Sequence, residues 1–568
     1  MRKRTVLLLS LFTIYASIAF AEPLPQPSRA GLALQVVPIE ALAPAVHAAP
    51  DALEALETYN LAGNVPTQNG FSRPLINARE VRLSGSDLLR PTPFSLAGGV
   101  LTRSPHGDLV WSGEVRAAGA HALRLHLSSV TLPAGTRAWV YAPDGEAARV
   151  PLSLFRGQSE VWTGPVWGES LWLEVAIPAS ALSPGREARF TLDRVLELVR
   201  LDDRGRPVTG PGVVEKGDNE CFASVPCAEE EFPDPVGRIK EAVARIFFVK
   251  DGGGFICSGG LLEDSEPNTD RPLFLTANHC IPDAQVAATV VSFFRLWNTS
   301  CGSMEASVPD RVDGATLLST YEPADGTLIE LAGLPPDPQF LPYDASPAAG
   351  SNGVVVNDVS LPGGFLQVFS RHRIVPQCIN NENFYSTETL FGGVGGGSSG
   401  SLAVNDAGRV IGTLRGICGT GGEGGICVNP QVYAFFGRLS TLFENGLKPF
   451  LDPPDAGFFQ STQFPDFAFR VKITAGGDSR FGRQEPECIS ETECVSGAIP
   501  GRAEVFLRIV GPRPNGKLWP TIVKFTTSRV EVRVRQLSTG IEKEYILEGA
   551  APGIDELPGL FDRGGFDP

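Results

Sequence analysis

Apolar and polar residues alternate with a period of two along much of the chain. His121-Ala-Leu-Arg-Leu-His-Leu127 and Leu171-Trp-Leu-Glu-Val-Ala-Ile177 show the pattern between about Val81 and Leu201, where turn formers such as Pro133-Ala-Gly and Pro143-Asp-Gly separate the runs. That is the signature of a β-sandwich. Before it, from Glu22 to about Leu56, Pro- and Ala-rich sequence with little period reads as extended or partly helical. After it, Asp202-Asp-Arg-Gly-Arg-Pro-Val-Thr-Gly-Pro-Gly reads as a linker and processing region. Residues 218 to 451 hold many short strand-like runs among Gly-rich loops, enough for one closed all-β domain, and finish in a stretch of helical spacing from Tyr433 to Phe450. Phe467-Ala-Phe-Arg-Val-Lys-Ile473, Ala503 to Val510 and Val530 to Arg535 alternate again and predict a second sandwich in the tail.

The ends and the charge narrow the setting. Met1-Arg-Lys-Arg4 followed by an apolar run from Val6 to Phe20 and Ala19-Phe-Ala21 has the layout of a secretory signal peptide. The run is too short to span a bilayer and no other stretch is long enough, so a secreted protein without membrane insertion is expected. A formal net charge of −16 over 568 residues argues against nucleic acid or anionic membrane, both of which reward a basic face, and leaves protein or peptide as the expected partner of a monomer. Ten cysteines fit disulfide formation after export; none precedes Cys221, eight lie from Cys221 to Cys427, and the last two are Cys488 and Cys494, which are expected to pin the tail.

Three short sequences carry the parts that acyl transfer needs. Gly395-Gly-Gly-Ser-Ser-Gly-Ser401 places Ser399 as nucleophile between glycines that let the N–H groups of Gly397 and Ser399 converge on one oxyanion. A Gly/Ser cluster is more often a tether, but Leu402-Ala-Val follows at once as a strand. Leu273-Phe-Leu-Thr-Ala-Asn-His-Cys280 delivers His279, the base, from an apolar strand beside a cysteine. His372, flanked by two arginines, is read as structural. Asp325-Gly-Thr-Leu-Ile-Glu-Leu331 supplies Asp325 to orient the base; alone it is a turn aspartate before a strand. The order His, Asp, Ser supplies the specificity, because hydrolase and subtilisin folds use other orders. This chemistry calls for no metal or cofactor.

At these residues the chain resembles the trypsin-like serine peptidases, and within them the bacterial lysyl-endopeptidase-like branch, over roughly 218 to 450. The resemblance implies a mainly β protein: a double six-stranded β-barrel protease domain with a C-terminal helix, flanked by an N-terminal and a C-terminal β-sandwich. The corresponding divisions are a signal peptide at 1–21, a pro-segment with the first sandwich at 22–217, the protease at 218–455 and the second sandwich at 456–568. It implies disulfides Cys257 to Cys280 and Cys227 to Cys301, with Cys221 crossing to Cys418 or Cys427 and Cys378 taking the other. It also aligns a specificity pocket of Gly393, Val394, Leu414, Arg415, Gly416 and Ala434. Ala434 stands where lysine-specific members carry an aspartate, and Gly393 lacks the acid of trypsin itself, so an uncharged apolar side chain is expected in the slot, with Arg415 at its rim disfavouring basic substrates. Glu423, in the Gly-rich stretch before Cys427, is the acid that could change this.

The reading is therefore a secreted serine endopeptidase made as a precursor. An alternative class is a catalytically inactive protease fold used for binding or adhesion through its sandwiches. An esterase would share the triad but calls for a Gly-x-Ser-x-Gly elbow and the order Ser, Asp, His, which this chain lacks.

Overall fold

The computed structural model describes residues 26–566 apart from 35, 42–48, 183–185, 202–205, 209–221, 267–269, 304, 364–365, 420–431, 454, 476–477, 487, 498–501, 513–515 and 550–565. The expected signal peptide, most of the linker, Cys221, Cys427 and Glu423 lie outside the described residues. Among the described residues no helix is long and apolar enough to cross a membrane.

The chain is mainly β, and its alternating patterns fall where expected. The N-terminal sandwich packs one sheet, containing Gly99–Arg103, Leu109–Arg116, Arg137–Tyr141 and Ser170–Ile177, on a second built from Ala122–Thr131, Glu187–Leu198 and the 18-residue strand Thr67–Ser84, here β1. Trp111, Leu173 and Val175 of the first sheet meet Leu125, Phe190 and Leu192 of the second in one buried core. One feature differs from the sequence reading. The sandwich begins at Thr67 rather than near Val81, because the first half of β1 carries Gln68, Asn69 and Gly70 and hides its strand character. A helix, Ala49–Leu61, precedes it and places Leu56 in a buried cluster.

Two rings of strands follow. In the first, β2 (Val243–Lys250) pairs with β3 (Gly253–Leu261), β3 with β4 (Leu273–Thr276), and β2 on its other side with β5 (Val291–Phe294). β5 pairs with β6 (Asp310–Asp313), which continues through Gly314 into β7 (Ala315–Tyr321), and β7 pairs with β8 (Gly326–Leu331), which returns to β4. Gly314 has φ 89°, the left-handed conformation that glycine adopts without strain, and bends one long strand across the ring so that six positions close it. The second ring runs β9 (Val355–Ser360), β10 (Val368–Val375), β11 (Phe384–Phe391), β14 (Val432–Arg438), β13 (Val410–Gly419) and β12 (Leu402–Asn405), and β12 closes on β9. Leu273, Leu275 and Leu328 of the first ring share a buried cluster with Phe369, Leu402 and Val404 of the second, so the rings pack side on.

The stretch from Tyr433 was expected to be helical throughout. Instead Val432–Arg438 is β14, alternating buried Val432, Ala434 and Phe436 with half-buried Tyr433 and Phe435, and helix begins only at Leu439. It is broken at Asn445 and Gly446, where Gly446 has φ 150°. A run so rich in aromatics fits both periods, and the cross-strand partners in β11 and β13 settle it as strand. The tail forms the expected second sandwich, with Phe469, Val471 and Val532 of one sheet facing Val505 and Leu507 of the other and a Cys488–Cys494 disulfide.

The N-terminal sandwich is not separate from the first ring. β1 pairs antiparallel with β3, Thr67 opposite Ile256 and Phe71 opposite Gly253, so one continuous sheet runs through both units. Leu196, Leu198 and Leu201 pack against Phe247, Val249, Val291 and Phe293 on the outside of the ring. The fully buried Arg124 crosses between them, donating from Nε to the Thr163 carbonyl (2.7 Å) and from Nη2 to that of Thr289 (2.6 Å).

Inside the second ring, Asp358 and His372 are fully buried and joined by Ser370, whose Oγ lies 3.4 Å from Asp358 Oδ2 and 2.8 Å from His372 Nε2. Burial pushes Asp358 up to about 7, although the hydroxyls of Ser401, Ser360 and Ser370 oppose the shift. Burial also pulls His372 down to about 3. The stability that protonated Asp358 contributes is complete below its unfolded value of about 4 and is lost as pH rises through about 7, whereas that of neutral His372 is complete above about 6.5 and is lost on acidification. The Tm of Asp358→Asn relative to wild type should therefore rise as pH is taken from about 4 to about 8. A difference that stays flat with pH would show that burial does not move the Asp358 carboxyl from its unfolded value.

Candidate active site

His279 leaves the end of β4 one turn after Thr276, and Asp325 enters β8 two residues before Thr327, the cross-strand partner of Thr276. Sheet pairing thus brings together two residues 46 apart in sequence. Asp325 has φ 51°, ending the short turn Glu322–Ala324, and that conformation aims its carboxylate back at the histidine. Oδ1 accepts from the His279 backbone N–H (2.8 Å) and Oδ2 from its Nδ1 (2.7 Å). Both side chains are largely buried, at 11% and 5% exposure. A carboxylate can only accept, so the ring proton sits on Nδ1 and Nε2 presents its lone pair. Nε2 is buried and has no hydrogen-bond partner among the described residues. Behind the ring, Cys280 is bonded to Cys257 of β3, closing a loop of 23 residues worth about 3 kcal/mol in the chain-entropy description. Cys257, Cys280 and His279 cluster closely enough to suggest a metal site, but the two sulfurs are committed to the disulfide.

Ser399 lies in the turn before β12. The turn is pressed against the strand end that carries His279: a Cβ on Gly400 would meet Thr276 Oγ1 at 2.3 Å and the Ala277 nitrogen at 2.9 Å, and Gly400 also has φ 85°. Ser258 of β3 holds the turn by donating its N–H to the Ser399 carbonyl (2.8 Å) and its Oγ to that of Gly397 (3.0 Å). The neighbouring serines are differently placed. Ser398 is fully buried, donating its N–H to the Gly395 carbonyl (3.0 Å) and accepting the Gly395 N–H on Oγ (3.2 Å). Ser401 is fully buried beside Asp358. Ser399 Oγ and the N–H groups of Gly397 and Ser399 have no hydrogen-bond partner among the described residues.

The six residues aligned as a pocket separate into groups. Val394, Leu414 and Ala434 are all buried in the core of the second ring with Ile411 and Phe436. Gly393 is also buried, while Gly416 faces the Phe435 ring, 3.6 Å from where its Cβ would stand. Arg415, expected at the slot's rim, makes a contact that the sequence did not announce: its Nε lies 3.2 Å from Asp325 Oδ2. The cause is a β-bulge in β13, where Leu414 pairs with Phe436 and Gly416 with Phe435, leaving Arg415 as the extra residue. A bulge re-aims the side chain it carries. The disulfides Cys227–Cys301 and Cys378–Cys418 are formed, so of the two partners open to Cys378 the structure selects Cys418.

A further residue at the site carries no motif. Thr67, at the start of β1, stands over the Ser399 turn, and a Cβ at Gly396 would meet its Oγ1 at 2.7 Å. The next strand residue, Gln68, pairs with Phe255.

Residues 217–431 match the family model described as Lysyl endopeptidase, C-terminal domain. A lysyl endopeptidase of Pseudomonas aeruginosa is 28% identical over 359 residues, covering 57% of this chain and 74% of that protein. Solved structures that align include Rv3671c of M. tuberculosis H37Rv, as an inactive Ser343Ala mutant, at 16% identity over 39% of this chain and 93% of that one. The MamO protease domain of Magnetospirillum magneticum aligns at 13% over 36% and 96%. Both have a TM-score of 0.25, too low to add to the fold described above. The family match takes in the first ring, the turn bearing Ser399 and the second ring short of β14, and over that stretch the chain is similar to the lysyl endopeptidases, a trypsin-like branch of serine peptidases.

Proposed function

We propose that the protein is a secreted serine endopeptidase that hydrolyses peptide bonds through an acyl-enzyme on Ser399. The observation that carries this reading is the double hold of Asp325 on His279, which fixes the ring and leaves Nε2 free to act. In the reaction Nε2 takes the proton of Ser399 Oγ as that oxygen attacks the carbonyl carbon, Asp325 stabilises the imidazolium, and the N–H groups of Gly397 and Ser399 receive the oxyanion. His279 then passes the proton to the leaving amine, and water repeats the sequence to release the acyl group. Ser399→Ala should lower turnover by several orders of magnitude with the Tm little changed, and should abolish labelling by a fluorophosphonate. Full activity in Ser399→Ala would assign the nucleophile to another residue, whereas a matured wild-type protein that neither labels nor cleaves peptides would favour the inactive binding-protein alternative.

The position of the N-terminal sandwich supports a precursor in which residues 22–217 are inhibitory. Thr67 to Phe71 already satisfy the backbone of β3 at Gly253–Ile256, and Thr67 stands over Gly396 beside the proposed oxyanion site. An extended peptide could not take that edge while β1 holds it. Active secreted enzyme should begin between about residue 202 and 220, in the Gly- and Pro-rich connection. An active enzyme with its N-terminus at Glu22 would make the sandwich a permanent part.

For the residue before the scissile bond we propose an uncharged apolar side chain. Gly393 and Ala434 offer no carboxylate to pair a buried cation, whose burial unpaired would cost several kcal/mol. Digestion of a peptide library should give cleavage after medium and large apolar residues. Cleavage confined to Lys or Arg would assign an acid elsewhere, with Glu423 the first to substitute.

A further inference from the structure

Asp325 is only 4% exposed, so its carboxylate sits nearly dry and depends on the groups that touch it. Among the described residues, Arg415 is the cation that answers it, with Nε 3.2 Å from Oδ2. It reaches across from the other barrel, and it does so because β13 spends a β-bulge at that one residue. Its side chain is one-third exposed and has no other ion-pair partner among the described residues.

From this geometry we infer that Arg415 is a positioning residue for the triad: it pins the Asp325 carboxylate against His279 and neutralises it between turnovers. The inference rests on the peptidase reading of His279, Asp325 and Ser399. Two effects of the guanidinium oppose one another. Its charge competes with the imidazolium for Oδ2 during the reaction, while its contact keeps that oxygen aligned with Nδ1. The competition is the weaker effect, because the Arg415 contact is longer than the 2.7 Å Nδ1 contact and is partly screened by solvent. Alignment depends on no such screening, and loss of the wrong-tautomer safeguard at this aspartate is among the costliest changes to such a triad.

The test uses enzyme matured from the full-length chain, with Arg415→Gln to keep most of the side-chain stem and Arg415→Lys to keep the charge. Arg415→Gln should lower kcat by about tenfold with KM nearly unchanged, because a charge-assisted contact to the orienting group is lost and no substrate contact is. The second-order rate of Ser399 modification by a small fluorophosphonate should fall by the same factor, since that reagent reports activation of the serine without a peptide side chain to bind. Arg415→Lys should recover most of both rates. An increase in KM for peptides with the fluorophosphonate rate unchanged would overturn the inference and return Arg415 to the rim of the slot as a substrate contact. Unchanged kinetics on both readouts, or loss of Tm that tracks the loss of rate in both variants, would also overturn it. The underlying reading fails separately, if Ser399→Ala still labels.

Discussion

The carboxylate of Asp325 is the point on which the site depends. It is buried, left-handed in backbone and bonded twice to one residue, so the histidine ring can neither rotate nor exchange tautomer without breaking a charge-assisted bond. Everything around it serves that arrangement. The pairing of Thr276 with Thr327 sets the distance between the two strand ends, the Cys257–Cys280 bridge fastens the far side of the histidine, and Gly400 allows the serine turn to close on the same strand end. The residues come from both barrels, so the shared apolar cluster of Leu273, Leu328, Phe369 and Leu402 is what keeps the serine and the histidine in one register.

The second constraint is imposed from outside the barrels. A single strand, β1, serves the sandwich with its C-terminal half and the first barrel with its N-terminal half. The change of allegiance occurs around Gly70, where a Cβ would strike the Glu197 carbonyl at 2.8 Å. Close approach of backbone on both sides is what a glycine in a strand permits.

The gathering of the candidate site residues was more legible in the sequence than the architecture between units. His279, Asp325 and Ser399 each stand in a local pattern whose meaning is local: an apolar strand ending in His-Cys, an aspartate before a strand, a serine between glycines. The alternating runs gave the sandwiches for the same reason, since the period of two is written residue by residue. Thr67 and Arg415 were not legible in this way. Thr67 acquires its place from a pairing with Ile256, 189 positions away, and Arg415 from a bulge that no side-chain pattern announces. Tyr433 to Arg438 misled because aromatic spacing alone does not separate strand from helix, and only the partners Phe384 to Thr387 decide it.

The outer face of the first barrel has its own consequence. Phe247, Val249, Val291 and Phe293 lie dry beneath Leu196, Leu198 and Leu201, and one sheet, irregular only between Gly254 and Phe255, joins the two units. Cutting the connection after residue 201 would leave this seam untouched. If residues 22–217 are the inhibitory segment proposed above, a nicked molecule would hold them by the same forces as an intact one, and activation would wait on the parting of two folded bodies or the digestion of one of them. On that reading the seam is a built-in delay, with activity lagging behind the cut that permits it.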